Sequence, residues 1–204
     1  MRFHLVILAA GLSRRYGTEK EDKLLADLDG KPMYRHVTDR LLALKRSRTD
    51  IADLTIVTRR GPICDACSAD PRVNCLENPH PERGIASSLQ EALSVFANDP
   101  EDTGEALVCF VGDQPRLQTS TIKMLLDGFL AAGKPMAAIR YQGASYNPCI
   151  FRSDCWDDLR KLSGDTGGKQ LIRRHPEDVY YLDLPENLRS EIEDIDYKQD
   201  QTGN

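Results

Sequence analysis

The chain begins with the pattern of a buried β-strand that runs directly into a loop of small and basic residues. Residues 3–9 are mostly apolar, the loop spans residues 10–17, and Lys23 comes a few residues later. A strand that ends in small residues exposes backbone N–H groups at the sheet edge, and Arg and Lys side chains add positive charge beside them. This combination predicts a binding place for a polyphosphate.

Strand-like apolar runs alternate with helix-like segments along the rest of the chain. The alternation is typical of an α/β protein, and we expect a single-domain, Rossmann-like three-layer sandwich with a mostly parallel central sheet over residues 1–197. The further elements are predicted as strands at residues 54–58, 106–111 (central), 136–140 and 179–182, and as helices from Pro32 and at residues 84–96, 119–132, 153–162 and 168–174. Thr119 or Ser120 is expected to cap the helix that Gly133 ends, and the tail 198–204 is expected to fray.

Composition and charge exclude several classes of protein. No apolar run approaches the ~20 residues that a membrane-spanning helix needs. The net charge is −5, and the 27 Lys and Arg residues are scattered along the chain, which argues against binding of nucleic acid. The N-terminus lacks the cleavage pattern of a signal peptide. We therefore expect a cytoplasmic protein with no membrane or nucleic-acid partner.

The six cysteines do not predict a disulfide framework, because a chain of this size in the expected compartment does not need one. Cys109 and Cys149 lie in apolar, strand-like stretches, which is typical of small buried side chains. Cys64 and Cys67 form a C-x-x-C pair, a spacing that occurs in zinc and redox sites. Since no second pair with ligand spacing accompanies them, we do not expect either role.

A second candidate site follows the predicted strand at residues 106–111. In open α/β sheets, ligands bind beyond the carboxyl ends of the strands, and this strand ends in Gly112-Asp113-Gln114-Pro115. A carboxylate at this position can hold Mg²⁺, which prefers oxygen ligands and commonly bridges carboxylates to substrate phosphates. The alternative is a plain turn, since Gly, Asp and Pro are frequent turn residues.

The first loop matches neither of the two common phosphate-binding patterns, G-x-x-x-x-G-K-[ST] and G-x-G-x-x-G. Residues 8–17, which read L-A-A-G-x-S-x-R-x-G, together with Lys23 resemble the signature loop of the nucleotidyltransferase superfamily, most closely its molybdenum cofactor cytidylyltransferase branch. Residues 78–89, 112–115, 147–148, 164–168 and 194–196 follow the order of that branch. The chain departs from it at His80 or Pro81, one of which stands where members usually carry a tryptophan, and after Asp196, where the usual T-P-E-D is Y-K-Q-D.

The resemblance implies a role for each matching residue. Asp113 would bind the metal, Arg15 the β- and γ-phosphates, and Lys23 the phosphate under attack. Asp196 is the candidate second metal carboxylate, the alternative being an acidic turn at the surface. Asp165 is either an acceptor contact or a helix cap. The remaining implied contacts are nucleotide binding by Ala9, Ala10, Gly11, Ser13, Asn78, Gly84, Ser87 and Ser88, and acceptor binding by Asn147.

The resemblance also implies an activity: Mg²⁺-dependent transfer of a nucleoside monophosphate from a nucleoside triphosphate onto the terminal phosphate of a molybdopterin-type cofactor, with release of pyrophosphate. Ala10 favours CTP as the donor, because related guanylyltransferases usually carry Gly-Gly where this loop has Ala10-Gly11. A molybdenum hydroxylase or its maturation factors would be the protein partners. Two alternatives stay open: a sugar or polyol phosphate as acceptor, and a non-catalytic chaperone for the molybdenum cofactor.

Overall fold

A mostly parallel β-sheet forms the centre of the protein in the computed structural model, which describes residues 1–12, 22–96 and 104–196. Within these ranges the strands are β1 (Arg2–Ala9), β2 (Asp27–Leu28), β3 (Lys31–Pro32), β4 (Ile51–Thr58), β5 (Asn74–Glu77), β6 (Glu105–Val111), β7 (Met136–Tyr141), β8 (Ala144–Arg152) and β9 (Val179–Asp183). The main sheet has the order β5-β4-β1-β6-β8-β7-β9, and β2 and β3 pair separately as a small hairpin.

One strand of the main sheet runs against the others. β8 is antiparallel to both of its neighbours, β6 and β7. Every other neighbouring pair in the main sheet is parallel, namely β5–β4, β4–β1, β1–β6 and β7–β9. The reversal follows from the tight turn between β7 and β8, where Gln142 and Gly143 both have positive φ, 48° and 79°. Two such residues form the turn that matches the natural twist of a hairpin.

Helices cover both faces of the sheet and make the three layers that the sequence predicts. They are α1 (Met33–Ser47), α2 (Pro62–Ser68), α3 (Ile85–Ser94), α4 (Thr119–Ala132), α5 (Trp156–Arg160) and α6 (Lys169–Arg174). Alternate residues of a strand point to opposite faces. Phe3 and Leu5 of β1 therefore pack with α1, α2 and α4, while Val6 packs with α3, α5 and α6. None of the described helices is long and apolar enough to span a bilayer.

The predicted element pattern is largely confirmed, with three corrections. The cap of α4 is Gln118 rather than Thr119 or Ser120, although Gly133 ends the helix in the left-handed conformation as expected. Residues 153–162 are not one helix, because a 3₁₀ turn at Ser153–Cys155 precedes the short α5. The elements α2, β2, β3, β5 and β8 were not predicted, nor was the antiparallel direction of β8. The expected fraying of residues 198–204 concerns residues outside the described ranges.

The sheet register brings the two predicted strand-end loops together. Leu8 of β1 pairs with Val111 of β6, and Ala9 pairs with Thr58 of β4. Since these three strands are parallel, their carboxyl ends meet at one edge of the sheet. The two loops therefore begin side by side, at Ala10 and Gly112.

The C-terminal segment, residues 191–196, is anchored to the loop after β6 by side chains as well as backbone. Gln114 is 2% exposed, and its amide nitrogen donates to the Ile192 carbonyl at 3.0 Å and to the Asp194 carboxylate at 2.9 Å. The Ile195 N–H donates to the Asp113 carbonyl at 2.9 Å. Residues 193–196 have no regular secondary structure, so these contacts hold the segment in place.

We expect Gln114→Leu to loosen this segment, because it removes both donors while keeping a side chain of similar size. A buried polar group left without its partner costs about 1–3 kcal/mol. The variant should show a lower Tm and faster amide hydrogen exchange over residues 192–196, above all at the Ile195 amide. The matched control is Gln118→Leu, since the exposed Gln118 side chain donates to the Arg116 carbonyl and only its backbone N–H, which the substitution keeps, contacts the segment, at Glu191. Equal exchange in wild type and Gln114→Leu would contradict the anchoring role.

Candidate functional site

A single ammonium group joins two carboxylates that come from distant parts of the chain. The Nζ atom of Lys23 donates to Oδ2 of Asp113 at 2.6 Å and to Oδ1 of Asp196 at 3.1 Å. Asp113 follows β6, and Asp196 lies at the end of the C-terminal segment. Three residues that the sequence analysis selected separately therefore meet at one point.

Lys23 is positioned by a short, capped turn. It begins the 3₁₀ turn Lys23–Leu25, and the Asp22 carboxylate caps that turn by accepting from the Leu24 N–H at 3.0 Å. Arg59, which directly follows β4, donates to the other oxygen of Asp22 at 2.7 Å and to the Gly11 carbonyl at 2.7 Å. Arg59 thus fixes the chain on both sides of the predicted phosphate loop.

Gly112 allows this turn to lie directly on the end of β6. A Cβ atom built on Gly112 would lie 3.2 Å from both Cδ atoms of Leu24 and 3.8 Å from the Cβ atom of Ala9. Contacts of 3.2 Å are tighter than ordinary van der Waals contact. A side chain at Gly112 would therefore press the Lys23 turn away from Asp113.

Burial and charge act in opposite directions on Lys23. Burial opposes its charge, but the Asp113 and Asp196 carboxylates outweigh that effect and raise the pKa of Lys23 above its usual value. The neighbouring Asp194 responds differently: burial raises its pKa, and the charge of Asp113 adds to the shift. Lys23 therefore stays charged at neutral pH and partly neutralises the carboxylate pair, Asp113 and Asp196.

The carboxylate pair has the donor set that a hard divalent cation requires. Oδ1 of Asp113 is buried and has no hydrogen-bond partner among the described residues, which leaves an oxygen lone pair free for a ligand. Two carboxylates within hydrogen-bond distance of the same nitrogen are close enough to share one ion. Mg²⁺ prefers oxygen ligands and is commonly held by one or two carboxylates together with substrate phosphates. The residues present fit this ion.

The opposite side of the site is built from neutral hydrogen bonds. Asn78 is 1% exposed, and its amide nitrogen donates to the hydroxyls of Ser87 at 2.8 Å and Ser88 at 3.0 Å. Its amide oxygen accepts from the His80 N–H at 2.8 Å. Asn78 therefore holds the first turn of α3 and the preceding loop in a fixed relation.

Two glycines bring the start of α3 against the loop that carries Asp165. Gly84 has φ +85°, and a Cβ atom there would lie 2.4 Å from the backbone carbon of Gly164 and 2.6 Å from Oδ1 of Asp165. The Ala86 N–H donates to the Gly164 carbonyl at 3.1 Å. Only glycine fits at position 84, because a side chain would be both strained and in collision with backbone atoms.

These elements enclose a cleft of about 530 Å³. Eight residues named in the sequence analysis line it, namely Ala10, Gly11, Lys23, Gly84, Ser88, Asp113, Asp165 and Asp196. Glu82 also lines it, so the described lining residues include four carboxylates and one cation, Lys23. These described lining residues together carry net negative charge, which favours a bound cation among them.

Six further predicted site residues lie elsewhere or outside the described ranges. Ala9, Asn78 and Ser87 are buried behind the lining rather than part of it. Asn147 lies in β8, where its side-chain oxygen accepts from the Cys149 thiol at 3.6 Å, and it is not among the described lining residues. Ser13 and Arg15 fall outside the residues that the structure describes. The roles predicted for all six stay predictions.

Sequence reasoning missed two residues that organise the site. Arg59 stands at the carboxyl end of a predicted strand, the position where ligands and their supporting residues collect. Gln114 lies within the selected Gly112–Pro115 segment, but its partners are about 80 residues away along the chain. The strand-end position was a usable signal for Arg59, whereas nothing local indicated the partners of Gln114.

Known structures with this fold include proteins that bind nucleotides and metals. The chain is 18% identical to molybdopterin-guanine dinucleotide biosynthesis protein A from Archaeoglobus fulgidus, with 97% of this chain and 94% of that one covered and a TM-score of 0.67. It is 18% identical to a CMP:2-keto-3-deoxy-manno-octonic acid synthetase complexed with CTP, with 90% of each chain covered and a TM-score of 0.63. It is 19% identical to Rv0371c from Mycobacterium tuberculosis in complex with manganese, with 90% and 88% covered and a TM-score of 0.64. At these identities the likeness establishes the fold alone.

Sequence comparison establishes the family. A curated relative, the bifunctional protein GlmU of Bordetella petrii, is 29% identical over 124 residues, which are 60% of this chain and 25% of that protein. The chain thus spans about a quarter of the length of that relative. Residues 5–179 match the family described as MobA-like NTP transferase domain. They include the Lys23 turn, Asp113 and the Asn78 network, and the chain belongs to this family of nucleotidyltransferases.

Proposed function

We propose that this protein transfers a nucleoside monophosphate, CMP from CTP, onto the terminal phosphate of a molybdopterin-type cofactor in a Mg²⁺-dependent reaction that releases pyrophosphate. One observation carries the proposal: Lys23, Asp113 and Asp196 converge in a cleft that is also lined by residues 10–12, the start of α3 and Asp165. In this arrangement cationic, acidic and neutral hydrogen-bonding groups surround one space. A metal–triphosphate complex requires all three.

The carboxylate pair would hold Mg²⁺, because Oδ1 of Asp113 has no hydrogen-bond partner among the described residues and Asp196 pairs with the same Lys23 ammonium as Asp113. The ion would supply neutralisation of the triphosphate and of the departing pyrophosphate. The manganese complex of the Rv0371c protein supports a divalent metal in this fold. Asp194 is better suited to anchoring the C-terminal segment than to binding the metal, since its carboxylate accepts a hydrogen bond from the Gln114 amide.

The chain's own residues would act by position and charge. An oxygen of the acceptor phosphate attacks the α-phosphorus, a new P–O bond forms, and the bond to the bridging oxygen breaks as pyrophosphate leaves. Such a transition state needs fixed cations more than a protein nucleophile. Lys23 would contact the phosphate under attack and Arg15 the β- and γ-phosphates. Release of Lys23 from the carboxylate pair frees its charge for the substrate.

CTP is proposed as the donor on account of Ala10, which lines the cleft where related guanylyltransferases usually carry glycine. The structural likeness to a synthetase complexed with CTP supports a cytidine nucleotide in this fold. The Gly11 loop, Gly84 and Ser88 would contact the nucleotide, and Asn78 and Ser87 would support them from behind. Ser13 and the backbone of Ala9 complete the proposed nucleotide contacts.

The acceptor is proposed to bind on the side of Asp165 and Asn147. The likeness to a molybdopterin-guanine dinucleotide biosynthesis protein supports a molybdopterin-type acceptor. A molybdenum hydroxylase or its maturation factors are the partners proposed to follow from that acceptor. A sugar or polyol phosphate is the second candidate acceptor, favoured by the likeness to a 4-diphosphocytidyl-2C-methyl-D-erythritol synthase from Anaerococcus prevotii, 13% identical with a TM-score of 0.68, whose product joins cytidine to a polyol through two phosphates. Measuring pyrophosphate release with each acceptor in turn distinguishes the two candidate acceptors.

Asp113→Asn tests catalysis against the chaperone alternative. An amide cannot neutralise the metal, so we expect pyrophosphate release to fall by about 100-fold or more, the scale of losing one preorganised electrostatic contact. Cofactor binding should persist. The matched control is Asp29→Asn in the exposed β2–β3 turn, where the side chain does not line the cleft. The chaperone alternative would be favoured if wild type binds the cofactor without turnover and Asp113→Asn binds it equally tightly.

Lys23→Met should change metal binding and transfer in opposite directions. In the ligand-free protein, Lys23 competes with a metal for both carboxylates, so its removal should let Mn²⁺ bind several-fold more tightly without triphosphate. Transfer should fall by about 100-fold, since one fixed cation is lost. Mn²⁺ titration followed by electron paramagnetic resonance measures the first effect. The control is Lys31→Met, which removes a half-exposed lysine paired with Asp39 and should leave Mn²⁺ affinity and transfer rate unchanged. Weaker Mn²⁺ binding in Lys23→Met than in wild type would rule out the competition.

Thermal unfolding with each of the four nucleoside triphosphates tests the donor. A ligand at a hundred times its Kd stabilises the folded state by about 2.7 kcal/mol. We expect the largest rise in Tm with CTP and Mg²⁺ together, and little rise with CTP alone because of the acidic cleft. A larger shift with GTP than with CTP would overturn the cytidine assignment.

A further inference from the structure

Three of the cysteines gather at the edge of the sheet, away from the cleft lining. Cys64 and Cys67 lie on α2, and Cys75 lies on β5, the edge strand. The Sγ atoms of Cys64 and Cys75 are 3.5 Å apart. The close partner of Cys64 is therefore a residue eleven positions away rather than Cys67, its partner in the C-x-x-C spacing.

Exposure separates this pair from the other cysteines. Cys64 and Cys75 are both partly exposed, whereas Cys67 is buried at 3% exposure. Cys109 and Cys149 also lie opposite one another, in β6 and β8, but they are 4% and 1% exposed. A dissolved oxidant can reach only a thiol that meets solvent. The Cys64–Cys75 pair combines proximity with access.

We infer that Cys64 and Cys75 form a dithiol site that closes reversibly to a disulfide when it meets a small disulfide oxidant. A disulfide needs its sulfurs about 2.05 Å apart, so the pair must approach by about 1.5 Å. The two residues lie on separate elements that pack directly, α2 and β5. A small shift of the seven-residue helix α2 over the edge strand supplies the approach.

The chemistry is thiol–disulfide exchange, which balances without another reactant. The Cys64 thiolate attacks one sulfur of oxidised glutathione, forming a mixed disulfide and expelling one glutathione thiolate. The Cys75 thiolate then attacks the Cys64 sulfur and expels the second. Two protein thiols are oxidised to one disulfide, and one glutathione disulfide is reduced to two thiols. Excess dithiol reductant drives the same steps backward.

The surroundings of Cys75 determine the conditions for the reaction. Burial raises the pKa of Cys75, and the hydrogen bond with Cys64 and the charge of Glu77 add to the shift, while a hydrogen bond from Ser68 opposes it. The thiolate is the reacting form. The second exchange step is therefore slow at neutral pH and accelerates as the pH rises, so a mildly alkaline buffer suits the test.

The full chain is incubated with oxidised glutathione at mildly alkaline pH, free thiols are alkylated, and peptides are mapped by mass spectrometry without reduction. We expect a peptide pair linked through Cys64 and Cys75, lost on treatment with dithiothreitol. Cys75→Ser should instead retain glutathione on Cys64, and Cys64→Ser should form no internal bond. Cys67→Ser is the matched control and should still form the bond.

Each other outcome counts against the site. A Cys64–Cys67 bond would show that the sequence spacing, not the geometry, selects the partner. Stable glutathione adducts without an internal bond, or no reaction in folded wild type, would refute the site outright. The readout needs neither nucleotide nor metal, so it stands apart from the proposed transferase activity. Circular dichroism confirms that each variant is folded.

Discussion

The ion pair of Lys23 with Asp113 and Asp196 is the interaction on which the site depends. The two carboxylates lie 90 and 173 residues from Lys23 along the chain, so the pair exists only if the strand order, the Lys23 turn and the C-terminal segment are all in place. Two like charges brought together at a partly buried position repel one another unless a cation lies between them. Lys23 provides that cation in the ligand-free protein. The same carboxylates then suit a divalent ion, which carries more charge into the same space.

Supporting hydrogen bonds hold the arrangement of Lys23, Asp113 and Asp196, although these residues lie in loops and a short turn. Arg59 joins the Gly11 carbonyl to the Asp22 cap, and Gln114 joins the β6 loop to residues 192 and 194. Both connect loops through side-chain hydrogen bonds to partners that are distant in sequence. Loops positioned by a rigid sheet in this way can carry function while the sheet itself stays simple. The precision of the site therefore comes from buried polar contacts more than from secondary structure.

Sequence alone predicted the features whose signal is local. The apolar run before Ala10, the apolar run before Gly112 and the glycine at 133 each indicate an element or its end through neighbouring residues. The direction of β8 depends on the positive φ of Gln142 and Gly143, and glutamine is not a residue that typically signals such a turn. The anchoring by Gln114 depends on partners brought near only by the finished fold. Separate strand-end motifs could thus be predicted to share a site, but the groups that hold them could not.

The orientation of Asn78 determines what the neutral side of the cleft offers to a ligand. The His80 N–H can only donate, so the oxygen of Asn78 must face it and the amide nitrogen must face the serines. The oxygens of Ser87 and Ser88 therefore accept. Ser87 turns its own hydrogen to the Gly84 carbonyl at 2.8 Å, whereas Ser88 lines the cleft and its hydroxyl donates to none of the residues that the structure describes. A base or ribose that reaches this side meets a fixed donor, oriented by a buried amide that need not touch the ligand.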